Sequence, residues 1–266
     1  MSKLSAIAMG RGIHPEPVNS GPVAEHRPSP VLVVAAHPDD ETLGCGGTIA
    51  RHIAEGDAVH IVIGSDGAAV RGIDHKREPA LKDDIAKYAQ SAFSSPGWRN
   101  GHKAAQIYGV TAITIHDLPD SQFDKLTMLE LAKLIEAHIE RIQPRVVYTH
   151  SPADLNLDHR MLGGATAIAC RPKPGHPVME LYFYEVPSST EWSPPGFYSP
   201  FTPHLFIDIT KYLEVKEKVL QEAYQTELRE TTHPRSVSGC YALNSWRGAT
   251  AGFEVAEAFM VGRIRL

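Results

Sequence analysis

The 266-residue chain carries 26 Lys and Arg against 31 Asp and Glu, a formal net charge of −5, with 42% hydrophobic residues and three tryptophans. That balance lacks the basic surface of a nucleic-acid binder, and no apolar run approaches the length of a membrane span. Cys45, Cys170 and Cys240 form no CxxC pair and are odd in number, which argues against a disulfide framework and for a reducing, cytoplasmic setting, and no secretory h-region is found near the N-terminus.

In chain order, residues 1–29 are rich in Pro, Gly and Ser without sustained periodicity and are expected to form an arm that wraps a neighbour. Residues 30–266 are expected to form one domain. A strand is predicted at 31–36, a helix at 46–55, a strand at 58–64 and a polar loop at 65–77, followed by helical stretches that include 99–108. Strands at 112–116 and 145–149 flank an amphipathic helix at 125–142, and 159–169 reads as another helix. Later strands fall at 179–186 and 204–209, with a helix at 211–227. Strands alternating with helices predict an α/β fold built on a doubly wound, mostly parallel sheet.

The first strand, VLVVAA, is apolar on both faces, as in a parallel sheet covered on both sides, yet it runs into His37-Pro38-Asp39-Asp40-Glu41. So many ionisable groups at a strand's carboxyl end are costly unless their charge is compensated, and that end is where open α/β sheets form their ligand sites. The glycines that follow, in Gly44-Cys45-Gly46-Gly47, do not complete a dinucleotide loop, because Ile49 stands where GxGxxG needs glycine. Small residues there let the next helix pack close to the sheet.

His37 and Asp40 lie three apart on the turn leaving the strand, so an imidazole and a carboxylate can face one point. A third donor is expected from "THSPADLNLDHR" after the strand at 145–149, which offers His150, Asp154, Asp158 and His159. Two histidines and a carboxylate with one open position make a catalytic zinc arrangement. Each histidine taken singly reads as well as a satisfied, non-ligating residue.

The string AAHPDDE at 35–41 resembles the signature of the LmbE/PIG-L family of metal-dependent N-deacetylases. Asp158-His159, the HPRS string at 233–236 and the closing RGATAGFEVAEAFMVGRI agree with it, so the resemblance runs from residue 31 to the end. It implies a Rossmann-like fold with helices on both faces, and removal of an acyl group, usually acetyl, from an amino sugar or similar amine with Zn2+ or another divalent metal. It also implies a homo-oligomer, a trimer or hexamer. Carried over residue by residue, it makes His37, Asp40 and His159 the metal ligands and Asp39 the general base. The alternative for Asp39 is a carboxylate that only orients a ligand, a part that Glu41 could equally take.

One position departs from the family pattern. Where many members carry HPDH, this chain has Asn156-Leu157-Asp158-His159. Asn156 can donate a hydrogen bond to an oxyanion but cannot serve as a general acid. His150 and His233 are the candidates to supply the proton, with a loop-capping role as the alternative for His233. On the substrate side the expected residues are Arg71, Asp66 and His150, with Ser65 beside them. Arg99 resembles the arginine of a family RxxE element in which His102 replaces the usual Glu, and the stretch 185–192 reads as a surface turn or a sugar-stacking rim. Two rival functions stay open: a non-catalytic or weakly active metal-dependent sugar binder, and a metal-dependent phosphoesterase.

Overall fold

In the computed structural model, residues 28–67 and 95–266 are described; the expected arm up to residue 27 and the loop segment with Arg71 lie outside the described residues. The apolar runs become one seven-stranded sheet in the order β3-β2-β1-β4-β5-β7-β6. Its strands are β1 (Pro30–Ala35), β2 (Ala58–Ile63), β3 (Ala112–Ile115), β4 (Val146–His150), β5 (Glu180–Tyr184), β6 (Leu205–Asp208) and β7 (Ala256–Ile264). The first five strands in that order pair in parallel, and β7 runs antiparallel to both of its neighbours. The expected α/β class and mostly parallel sheet are present.

Side chains of β1 alternate between two cores, as the pleat requires. Val31, Val33 and Ala35 face one, with α1 (Asp40–Ala54), α2 (Pro96–Tyr108), α5 (Leu213–Glu222) and the start of α6 (Val237–Ala251). Leu32, Val34 and Ala36 face the other, with α3 (Met128–Ile142) and α4 (Leu157–Ala169). Every residue of 31–36 is fully buried, which explains the lack of polar alternation in that strand.

The strand order reverses between β1 and β4. Their pairing spans only Val31↔Val146 to Val33↔Tyr148, whereas β1 pairs with β2 along its whole length. Beyond Val33 the two strands part, and the carboxyl ends leave a crevice at the switch point of the sheet.

Helix α1 starts at Asp40, six residues before the expected start, and is broken at Cys45 (φ −145°, ψ 28°). The break leaves amides and carbonyls without helical partners. Glu257, reaching from β7, accepts from Gly47 N (2.9 Å), Thr48 N (2.8 Å) and Thr48 Oγ1 (2.7 Å). Lys216 of α5 donates to Leu43 O (3.1 Å) and pairs with Glu257 (2.7 Å). This buried ion pair splices the two halves of the helix. Glycine is required on both sides of the break: a Cβ at Gly44 would collide with the Tyr184 ring, and one at Gly47 would lie 2.7 Å from Ile209 Cβ. Helix α6 and strand β7 were not among the expected elements.

Candidate metal centre

The turn after β1 is built by its own acids. His37 N donates to Asp40 Oδ2 (2.8 Å) and Asp39 N to Glu41 Oε2 (3.2 Å), while Glu41 Oε1 accepts from Thr42 Oγ1 and Tyr224 OH, each at 2.7 Å. Asp39 is held at φ 116°, in the left-handed region that costs a non-glycine residue about 1–3 kcal/mol.

That turn and the start of α4 bring His37, Asp40 and His159 together. Asp40 Oδ2 lies 3.3 Å from His37 Nδ1 and 3.2 Å from His159 Nε2, and one donor atom from each residue falls within 4.8 Å of the others. Two ligands at tetrahedral angles around zinc sit about 3.3 Å apart, so the spacing fits such an ion. Each histidine has carboxylates behind it, the arrangement that fixes the tautomer of a ligating imidazole. His37 Nε2 faces Asp158 Oδ2 (3.1 Å) and Asp120 Oδ1 (3.3 Å), and His159 Nδ1 faces Asp154 Oδ1 at 3.2 Å along a bent approach.

Charge points the same way. Asp39, Asp40, Glu41, Asp120, Asp154 and Asp158 are all buried around this crevice. Burial opposes protonation of His159, yet Asp40 and Asp154 push it up to about 9. His37 is raised well above its ordinary value, also against burial, by Asp120, Asp158 and Asp40. Burial would raise Asp40, but His159 and His150 hold it well below the carboxylate range. Burial lifts Asp39 to about 7 against the pull of Arg235, whose Nη1 is 3.2 Å from Asp39 Oδ2. A cluster with this excess of buried acids calls for a cation.

Asp158 is not among the donors of this set. Its oxygens accept from Ser121 N (2.7 Å) and Phe123 N (3.0 Å), so it anchors the loop after β3 while orienting His37. A second His–acid group, at the far end of α1, is self-contained. His52 spends both nitrogens, on Asp57 (2.7 Å) and Tyr148 OH (2.9 Å).

The remaining expected residues fall out differently. His150 is fully buried, and its Nε2 accepts from Ala36 N at 2.8 Å, supplying the bond that the parting strands no longer provide. It also stacks on His159 (4.0 Å between centroids, 22°), behind the centre, and burial holds its pKa well below the ordinary value. Asn156 caps α4 through Oδ1 to Asp158 N (2.9 Å), which leaves its amide NH2 as the donor. His233 Nδ1 accepts from Arg235 N (3.0 Å) and its ring meets Trp192 edge-on at 5.4 Å, a loop-capping geometry. From the same HPRS string it is Arg235 that reaches Asp39, with Ser188 Oγ on its Nε at 3.1 Å. Asp66 is buried just after β2, its carbonyl pressed against Gly97. Asp120 and Arg235 escaped the sequence reading. A strand-end acid in DLPDS and an arginine inside a quoted string were the available signals.

A family model described as PIG-L, GlcNAc-PI de-N-acetylase, matches residues 32–170, more than half of the chain. The chain belongs to the PIG-L family. The matched stretch holds His37, Asp39, Asp40 and His159, whereas Arg235 and Glu257 lie beyond it. A 1D-myo-inositol 2-acetamido-2-deoxy-alpha-D-glucopyranoside deacetylase from Mycobacterium sp. (strain KMS) is 29% identical over 134 residues, 46% of this chain and 43% of that protein. The chain thus spans less than half the length of that relative. A 4-oxalmesaconate hydratase from Pseudomonas putida is 29% identical over 204 residues, 71% of each chain. Among solved structures, the conserved protein TT1542 from Thermus thermophilus superposes with a TM-score of 0.62 at 27% identity, covering 89% of this chain and 95% of that one. The three cysteines are free and buried, and among the described residues no helix is long and apolar enough to cross a membrane.

Proposed function

We propose that this PIG-L chain is a zinc-dependent hydrolase that removes an N-acyl group, acetyl in the first instance, from an amino sugar or similar small amine. The observation that carries the reading is the convergence of His37, Asp40 and His159 at zinc-like spacing beside Asp39, a buried carboxylate poised at about 7. A divalent cation held by those three residues supplies a Lewis acid that polarises the acyl carbonyl and acidifies water. Two imidazoles and one carboxylate suit zinc among the divalent metals.

The protein's own groups do the rest. Asp39 takes a proton from the attacking water as its oxygen bonds to the acyl carbon. Arg235 fixes the Asp39 carboxylate at 3.2 Å and keeps it turned to the crevice. The Asn156 NH2 donates to the developing oxyanion. The amine leaves only if it gains a proton, and of the described residues the two expected donors are otherwise engaged: His150 is buried behind His159 and His233 is bonded within its own loop. Asp39, with a pKa near neutrality, returns the proton it took, so that one carboxylate is base and then acid.

The test is acetate release from a panel of N-acetyl amino sugars by metal-stripped protein with Zn2+ restored, beside Asp39→Asn. Zinc-dependent release that the variant loses supports the hydrolase; tight zinc binding without release from any member counts against it. A second reading is favoured by the relative matched over 71% of both chains, which is a hydratase. Adding water to the double bond of an unsaturated carboxylic acid expels no amine: the water oxygen bonds to one carbon, and the proton that Asp39 takes from it is returned to the neighbouring carbon. Loss of the conjugated absorbance of such acids, with no acetate released from the sugars, selects it.

A further inference from the structure

The turn after β5 carries three consecutive hydroxyls, and two of them converge on one carboxylate. Ser189 Oγ donates to Asp154 Oδ1 and Thr190 Oγ1 to Asp154 Oδ2, the latter at 2.6 Å, while Asn156 N adds a third bond at 2.8 Å. Thr190 Oγ1 itself accepts from Val186 N (2.8 Å), which commits its proton to Asp154. Asp154 has no solvent exposure, so its donors must come from the protein.

What Asp154 faces gives these bonds a role. It lies 3.2 Å from His159 Nδ1, and the other nitrogen of that ring faces Asp40 at 3.2 Å. A carboxylate at Nδ1 keeps the ring proton there and the lone pair on Nε2, the atom that His159 offers to a cation. Because the approach to Nδ1 is bent, the pull is electrostatic. It persists only while Asp154 stays in place, and the two hydroxyl donors hold it there.

We propose that Ser189 and Thr190 are positioning residues of the metal centre: by holding Asp154 against His159, they set which nitrogen of that ring meets the cation. The proposal rests on the metal-centre reading above. A plain tether is the competing role, since Leu155 N also bonds to Ser189 O at 3.4 Å, and a tether predicts no effect on metal affinity.

The deciding measurement is the Zn2+ dissociation constant of the full-length protein, by competition with a chromophoric chelator, with circular dichroism as a check on folding. Removing both hydroxyls in Ser189→Ala/Thr190→Val is expected to weaken Zn2+ binding about 10–100-fold, whereas Thr190→Ser, which keeps the hydroxyl, stays within about threefold of the parent. Ser188→Ala leaves the affinity unchanged, because that hydroxyl serves Arg235 and not Asp154. Parent-like affinity in the double variant, with Asp40→Ala abolishing binding, overturns the proposal and leaves the metal centre standing. Affinity indifferent to Asp40→Ala overturns the metal centre and the proposal together. Should the double variant not fold, Thr190→Val alone decides: an affinity matching Thr190→Ser overturns the proposal.

Discussion

Two histidine pairs in this protein look alike by distance and differ in every other respect. His37 and His159 have ring centroids 5.4 Å apart; His116, just past β3, and His138 on α3 are 5.1 Å apart. The first pair is ringed by carboxylates, which favour the charged ring or, equally, a bound cation. In the second pair a guanidinium occupies the place a carboxylate would take. Arg141 Nη2 lies 3.1 Å from His138 Nδ1, and His138 Nε2 meets His116 Nε2 at 2.8 Å. Since Arg141 can only donate, His138 carries its proton on Nε2 and donates it in a hydrogen bond to His116 Nε2, and both rings are neutral. Burial lowers both pKa values, with Arg141 adding to the effect, that of His138 to about 4. Proximity of imidazoles does not define a metal site; the sign of the charge around them does.

The largest effect should come from testing that contrast with metal itself. After chelation, reloading with Zn2+ and dialysis, metal analysis is expected to show about one ion per chain, none in Asp40→Ala and an unchanged content in His138→Gln. Zinc lost from His138→Gln would erase the distinction between the two pairs.

Next in size is the Lys216–Glu257 pair, where opposite charges close on each other. Lys216→Met strips a buried carboxylate of its counter-ion and is expected to cost about 3–5 kcal/mol in urea unfolding, while Lys216→Met/Glu257→Leu recovers part of that loss. Lys133–Glu136, an exposed pair at 2.7 Å, sets the low end of the scale at about 0–1 kcal/mol on the same assay. A small loss in Lys216→Met would mean that the break in α1 can be satisfied by other groups.

These clusters were unequally legible in the sequence. The run into HPDDE could be read because β1 is buried on both faces and acids at its end needed a purpose. That a site would lie at strand carboxyl ends followed from alternating strands and helices, but its place between β1 and β4 depends on the strand order, which no local pattern carries. Helix α6 was missed because VSGCYALNSWRGATA is rich in small and polar residues with little apolar stripe, and its ends are set by Ser236 at the start and Gly252 (φ 80°) at the stop. Strand β7 was missed because Glu257 and Gly262 interrupt it; Glu257 is buried only because Lys216 and the broken α1 await it, and Gly262 is needed because a Cβ there would lie 2.6 Å from Phe183. The start of α1 was placed late for the same reason: its glycines mark a break and not an end. Within HPRS the histidine drew the reading, but the turn ties His233 back to Arg235 N and turns the guanidinium to Asp39. Partners supplied by distant segments are invisible to local pattern.

The neutral pair should leave a smaller trace in the pH dependence of stability. A histidine whose folded pKa is depressed binds fewer protons folded than unfolded between the two values, so protonation pulls towards the unfolded state. The contribution of His138 is present above about 6.5 and is lost as pH falls towards about 4. Melting temperatures recorded at steps from pH 7 to 4.5 should fall less steeply in His138→Gln than in the parent. Identical slopes would mean that the pair is not held neutral.

The smallest effect concerns backbone strain, and it again separates the two pairs. Among the described residues, the non-glycine positions with positive φ are Asp39, Ser121, Gln143 and Ser188. Gln143 merely ends α3, but the other three border the crevice: Ser121 N bonds to Asp158, Ser188 Oγ to Arg235, and Asp39 is the proposed base. None of the four histidines carries such strain; it lies in the residues around the first pair. Strained residues gathered around one of two similar pairs are what a functional site is expected to show. Comparing Asp39→Gly with Asp39→Ala isolates it, since both variants lose the carboxylate and its bond to Arg235. At an ordinary position alanine is the more stable by about 0.5–1 kcal/mol. At φ 116° the strain of about 1–3 kcal/mol outweighs that preference, so the glycine variant should unfold at higher urea concentration than the alanine variant. Alanine as stable as glycine would show that the turn relaxes once the carboxylate is gone, and that the Asp39 conformation is imposed by its partners and not by the path of the chain.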